Sequence, residues 1–350
     1  MKSRTCLAVM LSLLITVHWG FPVHATDDPG PERLQVVATL FPLFDWARII
    51  GGEKSDVNLL LPPGVEAHAF EPTPRDIVAI NKADLFIYTG ESMEPWVRNL
   101  LGSLTNRSLM IVDSSEGIDY MEEARHEGAG AEGQGRHDSI HDHEKEAARR
   151  HDPDHQHSRH HDKIEGHHHD RHGGKDPHIW LEFGNARKMV NHIARAFSEK
   201  DPASADLYLS RAAEYNNQLI QLEKAYEQTL AGCRHKTLVY GGHFAFGYLA
   251  ARYGLKHISP YQGFTPDAEP TPKRIAELID YMKQSGMKAI FFEEGIEPRV
   301  AKVLGRETGA QLLLLHGAHN VTKEEMARNV SYLSIMEENL ERLTRGLECS

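Results

Sequence analysis

The fold is decided by the stretch VNLLLPPGVEAHAFEPTPRD, which covers residues 57–76. Its first five residues predict a short apolar strand that ends at the turn-forming sequence Pro62-Pro63-Gly64. A helix is predicted to begin at Thr73-Pro74, because threonine is a favoured N-cap and proline fits the first helical position. His68 lies in the connection between the strand and the helix. A strand that leads into a helix is the unit from which parallel sheets are built.

The same alternation of apolar strands and helices continues along the chain. Strands are predicted at residues 34–40, 84–88, 109–112, 237–240, 289–292 and 312–315, and helices at 184–199, 272–285, 298–308 and 323–347. Residues 203–230 predict one long helix, which would extend about 40 Å and could act as a rigid strut. The sequence therefore predicts an α/β fold with two lobes, each a parallel sheet flanked by helices, joined by a long linker helix. The expected boundaries are 31–200 for the N-terminal lobe, 203–231 for the linker helix and 232–350 for the C-terminal lobe.

The first 25 residues have the pattern of a secretory signal peptide. Lys2 and Arg4 precede an apolar run at 7–17 that is too short to span a bilayer, and Val23-His24-Ala25 provides a small-residue cleavage site. Cys6 lies too early to be a lipid-anchor cysteine after the apolar run. We therefore expect a soluble secreted protein that begins near Thr26; a retained N-terminal anchor helix is the alternative.

The cysteine content agrees with export. Removal of the signal leaves Cys233 and Cys349, an even pair in an oxidising compartment. A disulfide between them would close a loop of more than a hundred residues, worth roughly 4–5 kcal/mol in the chain-entropy model. Two free thiols remain the alternative.

The net charge of −11 disfavours nucleic-acid binding and suits a protein that handles cations.

A histidine-rich segment interrupts the N-terminal lobe. Between Glu122 and Lys175 the chain carries 13 of its 23 histidines, mixed with Asp, Glu, Gly and Arg and with almost no apolar residues. Such a composition cannot bury enough surface to offset the entropy of ordering, so residues 122–175 are predicted to be a disordered insertion. Neutral imidazole is a ligand for zinc, copper and nickel, and the segment therefore indicates metal handling. A solvated insertion without a role is the alternative.

Four other histidines lie where predicted strands end, which is where open α/β sheets bind ligands. They are His68, His178 within DPHIW, His243 after Tyr240-Gly241-Gly242, and His319 within HGAH. Any one of them alone would be an ordinary polar residue, but convergence of three or four would make a nitrogen-rich site suited to zinc. His192, His235 and His257 do not follow such a turn and are interpreted as structural.

Several of these stretches carry a family resemblance. They are LPPGVEAHAFEPTP at 61–74, ADLFIYTG at 83–90, DPHIWL at 176–181, GHFAFGY at 242–248 and YGL at 253–255. They resemble the zinc and manganese solute-binding proteins of ABC importers, in the expected order over residues 34–347. The resemblance implies that metal binds in the cleft between the two lobes. A histidine-rich insertion before the second ligand is typical of the zinc branch, the ZnuA-like proteins.

Carried over by resemblance, His68 and His178 are the ligands from the N-terminal lobe and His243 is a ligand from the C-terminal lobe. The manganese branch has a carboxylate at the third position, so an imidazole there favours zinc. The fourth ligand is predicted at His319, with His316 or a water molecule as alternatives. Glu66 and Glu294 are nearby carboxylates that are not assigned to the site.

The sequence thus predicts a periplasmic protein, not an enzyme, that captures Zn²⁺ as a transported ligand and delivers it to an inner-membrane ABC permease. It is expected to act as a monomer, to bind through neutral imidazoles and to release the ion when they are protonated. The histidine-rich segment is expected to collect zinc weakly. A secreted zinc hydrolase is the alternative from another class, although the chain has no His-Glu-x-x-His sequence. A metal-binding adhesin of the same fold is a third hypothesis.

Overall fold

The computed structural model describes residues 33–122, 174–261, 270–295 and 297–350. The predicted signal peptide and nearly all of the predicted histidine-rich insertion lie outside the described residues. Arg33–Ser350 form one compact unit that contains both lobes.

The N-terminal lobe is built on a four-stranded parallel sheet. Its strands are β1 (Leu34–Ala38), β2 (Ser55–Leu59), β3 (Leu85–Tyr88) and β4 (Met110–Asp113), in the order β2-β1-β3-β4. All four residues of β3 are buried, as expected for a strand in a sheet that is covered on both faces. Strand β2 pairs with one edge of β1 and β3 with the other, so the strand order reverses at β1. The carboxyl ends of β1 and β3 therefore flank a crevice of the kind that binds ligands.

Four helices cover this sheet. They are α1 (Phe41–Gly51), α2 (Pro74–Lys82), α3 (Val97–Leu101) and α4 (Phe183–Lys200). The predicted start of α2 is confirmed: Thr73 is the N-cap, Pro74 is the first helical residue, and Thr73 and Asp76 form a capping box. The short helix α3 was not predicted, because five residues are too few for a helical period to be recognised.

The second lobe repeats the parallel arrangement. Its strands are β5 (Thr237–Val239), β6 (Lys256–Ile258), β7 (Ala289–Phe292) and β8 (Gln311–Leu314), and its helices are α6 (Gly247–Arg252), α7 (Pro272–Ser285) and α8 (Arg299–Thr308). The pairs β5-β6 and β7-β8 are parallel, and a bridge between Tyr240 and Phe291 joins them. Strand β6 was not predicted, because its three residues include exposed Lys256 and His257.

The prediction of one final helix over 323–347 is wrong. The structure has two helices, α9 (Lys323–Ala327) and α10 (Tyr332–Gly346). Asn329 has a φ of 54°, which ends the first helix, and Ser331 caps the second by accepting a hydrogen bond from the Ser334 amide. Asp45 of α1 accepts a further hydrogen bond from the Tyr332 amide at 2.9 Å. Helix α10 is therefore positioned by the N-terminal lobe as well as by its own lobe.

The predicted linker helix is confirmed as α5 (Ala205–Ala231), whose 27 residues span about 40 Å. Near its middle, the Tyr215 hydroxyl accepts a hydrogen bond from Trp46 of α1 at 3.1 Å. Near its end, Tyr226 donates to the Met336 carbonyl of α10 at 2.6 Å. One hydrophobic cluster runs without a break through both lobes and this helix. None of the described helices combines the length and the apolar character needed to cross a bilayer.

The predicted disulfide between Cys233 and Cys349 is confirmed. It joins the end of α5 to the chain that follows α10, across a sequence separation of 116 residues. Beside it, the amides of Arg234 and His235 donate to the carbonyls of Glu348 and Leu347 at 3.2 and 3.1 Å. The C-terminal segment is therefore fixed against the end of the linker helix by both covalent and hydrogen bonds.

Direct hydrogen bonds join the two lobes beside the cleft. The Phe41 amide donates to the His319 carbonyl at 3.0 Å, and the Gly64 amide donates to the Val321 carbonyl at 2.9 Å. The Asn320 side chain donates to the carbonyls of Pro62 and Val65 at 2.7 and 2.8 Å. The loop that carries His68 is therefore attached to the turn that carries His319.

Candidate metal centre

Four histidine side chains converge in the cleft between the lobes. They are the four that the sequence predicts, His68, His178, His243 and His319. Each offers one ring nitrogen, and these four nitrogens all lie within 4.8 Å of one another. His68 follows β2 and His178 precedes a 3-10 turn in the N-terminal lobe, whereas His243 and His319 follow β5 and β8. The carboxyl ends of strands from both lobes therefore supply the cluster.

The imidazoles are withdrawn from solvent. His178 is fully buried, His243 and His319 are almost so, and His68 is partly buried. Among the described residues, the Nε2 atoms of His243 and His319 are buried and have no hydrogen-bond partner. The Nε2 atom of His178 lies 3.2 Å from that of His68. A buried nitrogen without a partner is costly unless it binds an ion. Since the four ring nitrogens also lie within 4.8 Å of one another, they are close enough to share one ion.

Three of the four rings are oriented by carboxylates. His178 Nδ1 lies 2.8 Å from Asp176 Oδ1, His319 Nδ1 lies 2.8 Å from Glu294 Oε1, and His243 Nδ1 contacts Glu293 Oε2. A carboxylate at Nδ1 holds the proton on that nitrogen and leaves the Nε2 lone pair free for a metal ion. This is the arrangement in which proteins usually hold metal-binding histidines.

These carboxylates were not predicted as partners of the histidines. The sequence-based prediction gives Glu294 no role in the site and does not name Asp176 or Glu293 as partners. The available signals were the acidic residue two positions before His178 and the adjacent Glu293-Glu294 pair after β7. Neither signal states which imidazole a carboxylate will contact, because that depends on how the strands are arranged in space.

The fourth ring, His68, is positioned through its backbone. Glu66 accepts hydrogen bonds from the amides of His68 and Ala69, at 3.0 and 2.7 Å. Gly64 adopts a φ of 83° in the preceding turn, which a side chain would disfavour. Glu66 therefore stabilises the loop that presents His68 and leaves its imidazole free.

His316, the alternative fourth ligand, lies outside the cluster. Its Nδ1 accepts a hydrogen bond from the Ala318 amide at 2.9 Å, and its backbone is bonded to the Asn339 side chain through both the amide and the carbonyl. Ala318 has a φ of 57°, so the chain reverses between the two histidines. The geometry therefore favours His319 over His316.

Two glycines allow the backbone to approach the site closely. A Cβ atom on Gly317 would lie 2.5 Å from the His319 ring, and one on Gly242 would lie 2.6 Å from Glu293 Oε1. The Trp180 indole also donates to the Gly317 carbonyl at 2.8 Å. The turn that precedes His319 is therefore held by the hydrogen bond from Trp180, and at Gly317 it has no room for a side chain beside the His319 ring.

Burial keeps two of the four imidazoles, His68 and His178, uncharged. Burial and the neighbouring imidazoles lower the pKa of His68 to about 3 and hold the pKa of His178 well below its usual value. Burial also opposes a charge on His319, but Glu294 outweighs this effect and raises the pKa of His319. At neutral pH, His68 and His178 therefore have lone pairs available for a cation.

Two openings lie at the cluster. A cavity of about 80 Å³ is lined by His243, His319 and the three carboxylates of Glu66, Glu293 and Glu294. A wider surface depression of about 430 Å³ is lined by His68 and the aromatic residues Phe70 and Trp96. His68 thus borders a surface depression, whereas His243 and His319 border the smaller cavity.

Comparison with known proteins identifies the family. A family model described as "Zinc-uptake complex component A periplasmic" matches residues 36–346, which is nearly all of the described chain. The chain belongs to the ZnuA family. The sequence-based assignment to the zinc branch of the solute-binding proteins is therefore confirmed.

Individual relatives agree with this ZnuA assignment. The zinc-binding protein AdcA of Streptococcus pyogenes serotype M3 is 36% identical over 336 residues, which cover 96% of this chain and 60% of AdcA. The high-affinity zinc uptake system protein ZnuA of Bacillus subtilis is 34% identical over 335 residues, which cover 96% of this chain and 94% of that protein. The chain thus spans about 60% of the length of the AdcA relatives.

Solved structures show the same ZnuA-type fold. The Zn(II)-bound ZnuA-like domain of Streptococcus pneumoniae AdcA matches with a TM-score of 0.68 and 29% identity, over 90% of this chain and 99% of that one. The metal-dependent lipoprotein YcdH of Bacillus subtilis matches with a TM-score of 0.68 and 33% identity over the same shares. The predicted two-lobed α/β architecture is therefore confirmed.

We expect the variant Glu294→Gln to bind zinc about 10- to 100-fold more weakly than the unmodified chain. The carboxylate accepts from His319 Nδ1 and, at 2.8 Å, from the Gly317 amide, and an amide side chain would turn an N–H group toward one of these donors. Competition with a chromophoric zinc chelator measures the change. The matched control is Glu338→Gln, because Glu338 forms an exposed ion pair with Arg342. Equal affinities of both variants would show that Glu294 does not orient His319.

Proposed function

We propose that this ZnuA-family chain captures Zn²⁺ outside the cytoplasm and delivers it to an ABC permease for import. The proposed ligands are His68, His178, His243 and His319. The observation that carries the proposal is the convergence of four ring nitrogens within 4.8 Å, three of them on rings oriented by buried carboxylates. The names of the relatives support it, since AdcA is called zinc-binding and ZnuA a zinc uptake protein.

The donor set favours zinc over manganese and magnesium. Zinc takes four nitrogen or sulfur donors in a tetrahedral arrangement, whereas manganese and magnesium prefer oxygen. The carboxylates of Asp176, Glu293 and Glu294 are already engaged by imidazole nitrogens and so serve as orienting groups. The negative charge of Glu294, whose pKa is held below its usual value by His316 and His319 in spite of its burial, would also offset the charge of a bound divalent cation.

Binding without turnover fits the same donor set. A catalytic zinc ion keeps one of its positions for water or substrate, with three protein ligands in the others. Four imidazoles would fill a tetrahedral ion, so the arrangement supports a carrier rather than the hydrolase alternative. We also propose that the protein is located in the periplasm and acts as a monomer with one permease. The family description as a periplasmic uptake component supports the location.

The histidine-rich segment is proposed to act as a separate, weaker zinc collector. Its 13 histidines give it many donors, but the segment has no fixed ligand spacing that would define a tight site. It joins the lobe at Glu122 and Lys175, which pair as an antiparallel bridge. Lys175 directly precedes Asp176 and lies three residues before His178. Ions held there would be close to the tight site along the chain.

Titration calorimetry with zinc and manganese tests the proposed ligands. We expect one tight zinc site that outcompetes manganese and that is lost in the double variant His68→Ala/His243→Ala, because two of four donors are removed. The control is His192→Ala, whose ring lies on α4 and contacts the Ser114 carbonyl outside the cluster. Tight binding in the double variant, or a preference for manganese, would refute the assignment.

Removal of residues 123–173 tests the role of the histidine-rich segment. The deletion should leave the tight zinc site unchanged and abolish only the additional weak binding, because no proposed ligand lies within it. Glu122 and Lys175 are kept, and a short glycine-serine linker replaces the deleted residues, so that a turn can still close their antiparallel bridge. The number and affinity of bound ions are read from the same calorimetric titration. Loss of the tight site would mean that the segment supplies one of its ligands.

Zinc affinity should fall with pH because protons compete for the ligand nitrogens. Glu294 raises the pKa of His319 above 6.5 in spite of its burial, so this ring gains a proton as the pH falls through that raised value. The depressed pKa values of His68 and His178 mean that these two rings stay neutral. We expect a loss of about tenfold per pH unit below pH 6.5, measured by chelator competition. A constant affinity between pH 7 and pH 5 would contradict this mechanism.

A further inference from the structure

The hydroxyl of Tyr248 joins two segments of the other lobe. Tyr248 lies on α6 and is buried. Its oxygen accepts a hydrogen bond from the Met121 amide at 2.9 Å, and its O–H donates to the Asp176 carbonyl at 2.9 Å. The Asp176 amide donates in turn to the Met121 carbonyl at 2.8 Å. One phenol group thus fixes the point at which the two chain segments meet.

Asp176 connects this point to the metal cluster. While its carbonyl accepts from Tyr248, its carboxylate accepts from the amide of His178 at 3.0 Å and lies 2.8 Å from His178 Nδ1. Asp176 and His178 are both fully buried. The rotation of the His178 ring therefore depends on the position of the Asp176 backbone, and Tyr248 holds that backbone.

The Tyr248 side chain also connects the segment that carries His243 to the segment that carries His178, across the cleft. Tyr248 follows His243 by five residues, in the segment that leads from β5 into α6. Its contact with Asp176 places the N-terminal-lobe ligand His178 in a fixed relation to the C-terminal-lobe ligand His243. Ligand atoms must be held within fractions of an ångström for tight coordination, so a bond across the lobes at this place affects the site.

We propose that Tyr248 is a positioning residue for the metal site, which orients His178 through Asp176. The inference rests on the proposed zinc-binding function. Tyr248 does not touch the ion; it fixes the carboxylate that fixes the ligand. Loss of its hydroxyl leaves the Asp176 carbonyl and the Met121 amide without their partner and lets the Asp176–His178 pair shift relative to His243.

Tyr248→Phe in the full chain tests the proposal. We expect zinc affinity to fall about tenfold, the lower end of the effect of removing groups that orient metal ligands. The absorption spectrum of the cobalt-substituted protein should change in band position or intensity, because it reports the geometry around the ion. The matched control is Tyr226→Phe, which also removes a buried hydroxyl that donates to a backbone carbonyl, at Met336. Tyr226 lies on α5, and its loss should leave zinc affinity and the cobalt spectrum unchanged.

The unmodified chain and His178→Ala are titrated alongside the two tyrosine variants. No tight zinc binding by the unmodified chain, or unchanged binding by His178→Ala, would refute the proposed function itself. Tight binding that His178→Ala loses, with Tyr248→Phe equal to Tyr226→Phe in affinity and cobalt spectrum, would overturn the role of Tyr248 alone. A fall in melting temperature shared by both tyrosine variants, without a change in the metal site, also counts against it.

Discussion

Each buried imidazole of the cleft needs a buried carboxylate, and this pairing constrains the rest of the molecule. Isolated charges and unpaired polar groups are expensive to bury, so Asp176, Glu293 and Glu294 must each meet a ring nitrogen with good geometry. The partners approach from both lobes and from several strand ends. A small rotation between the lobes would separate the two halves of the cluster, so the frame around it must be stiff.

This frame is stiff because one hydrophobic cluster and several hydrogen bonds connect the two lobes and α5. A single hydrophobic cluster extends through both lobes, and α5 is bonded near its middle to α1. Backbone hydrogen bonds from Phe41 and Gly64 attach the loops on one side of the cleft to the turn around His319. The four ring nitrogens are therefore held close together by the protein, which would lower the cost of ordering them around an ion.

The sequence was sufficient for features that depend on short-range chemistry. Strand ends located His68 and His243, and the Thr73-Pro74 pair located the start of α2, because those signals are contained within a few residues. The partnership of Glu293 with His243 was not predictable, since it depends on the neighbouring positions of β5 and β7. The sequence favoured His319 over His316 as the fourth ligand but did not show why His316 lies outside the cluster. That position follows from the positive φ of Ala318 and from two hydrogen bonds between the His316 backbone and the Asn339 side chain, which sequence spacing does not encode.

Because of the disulfide, proteolysis of one peptide bond has different consequences on the two sides of the cleft. Residues 233–349 form a covalently closed ring that contains His243 and His319 together with their carboxylates. A protease that hydrolyses one peptide bond inside this ring leaves both pieces tethered through sulfur, so that half of the site stays on one molecule. His68 and His178 lie outside the ring, and one cut between them divides the chain into two separable pieces. In an environment rich in proteases, the durability of the whole site is set by its N-terminal side.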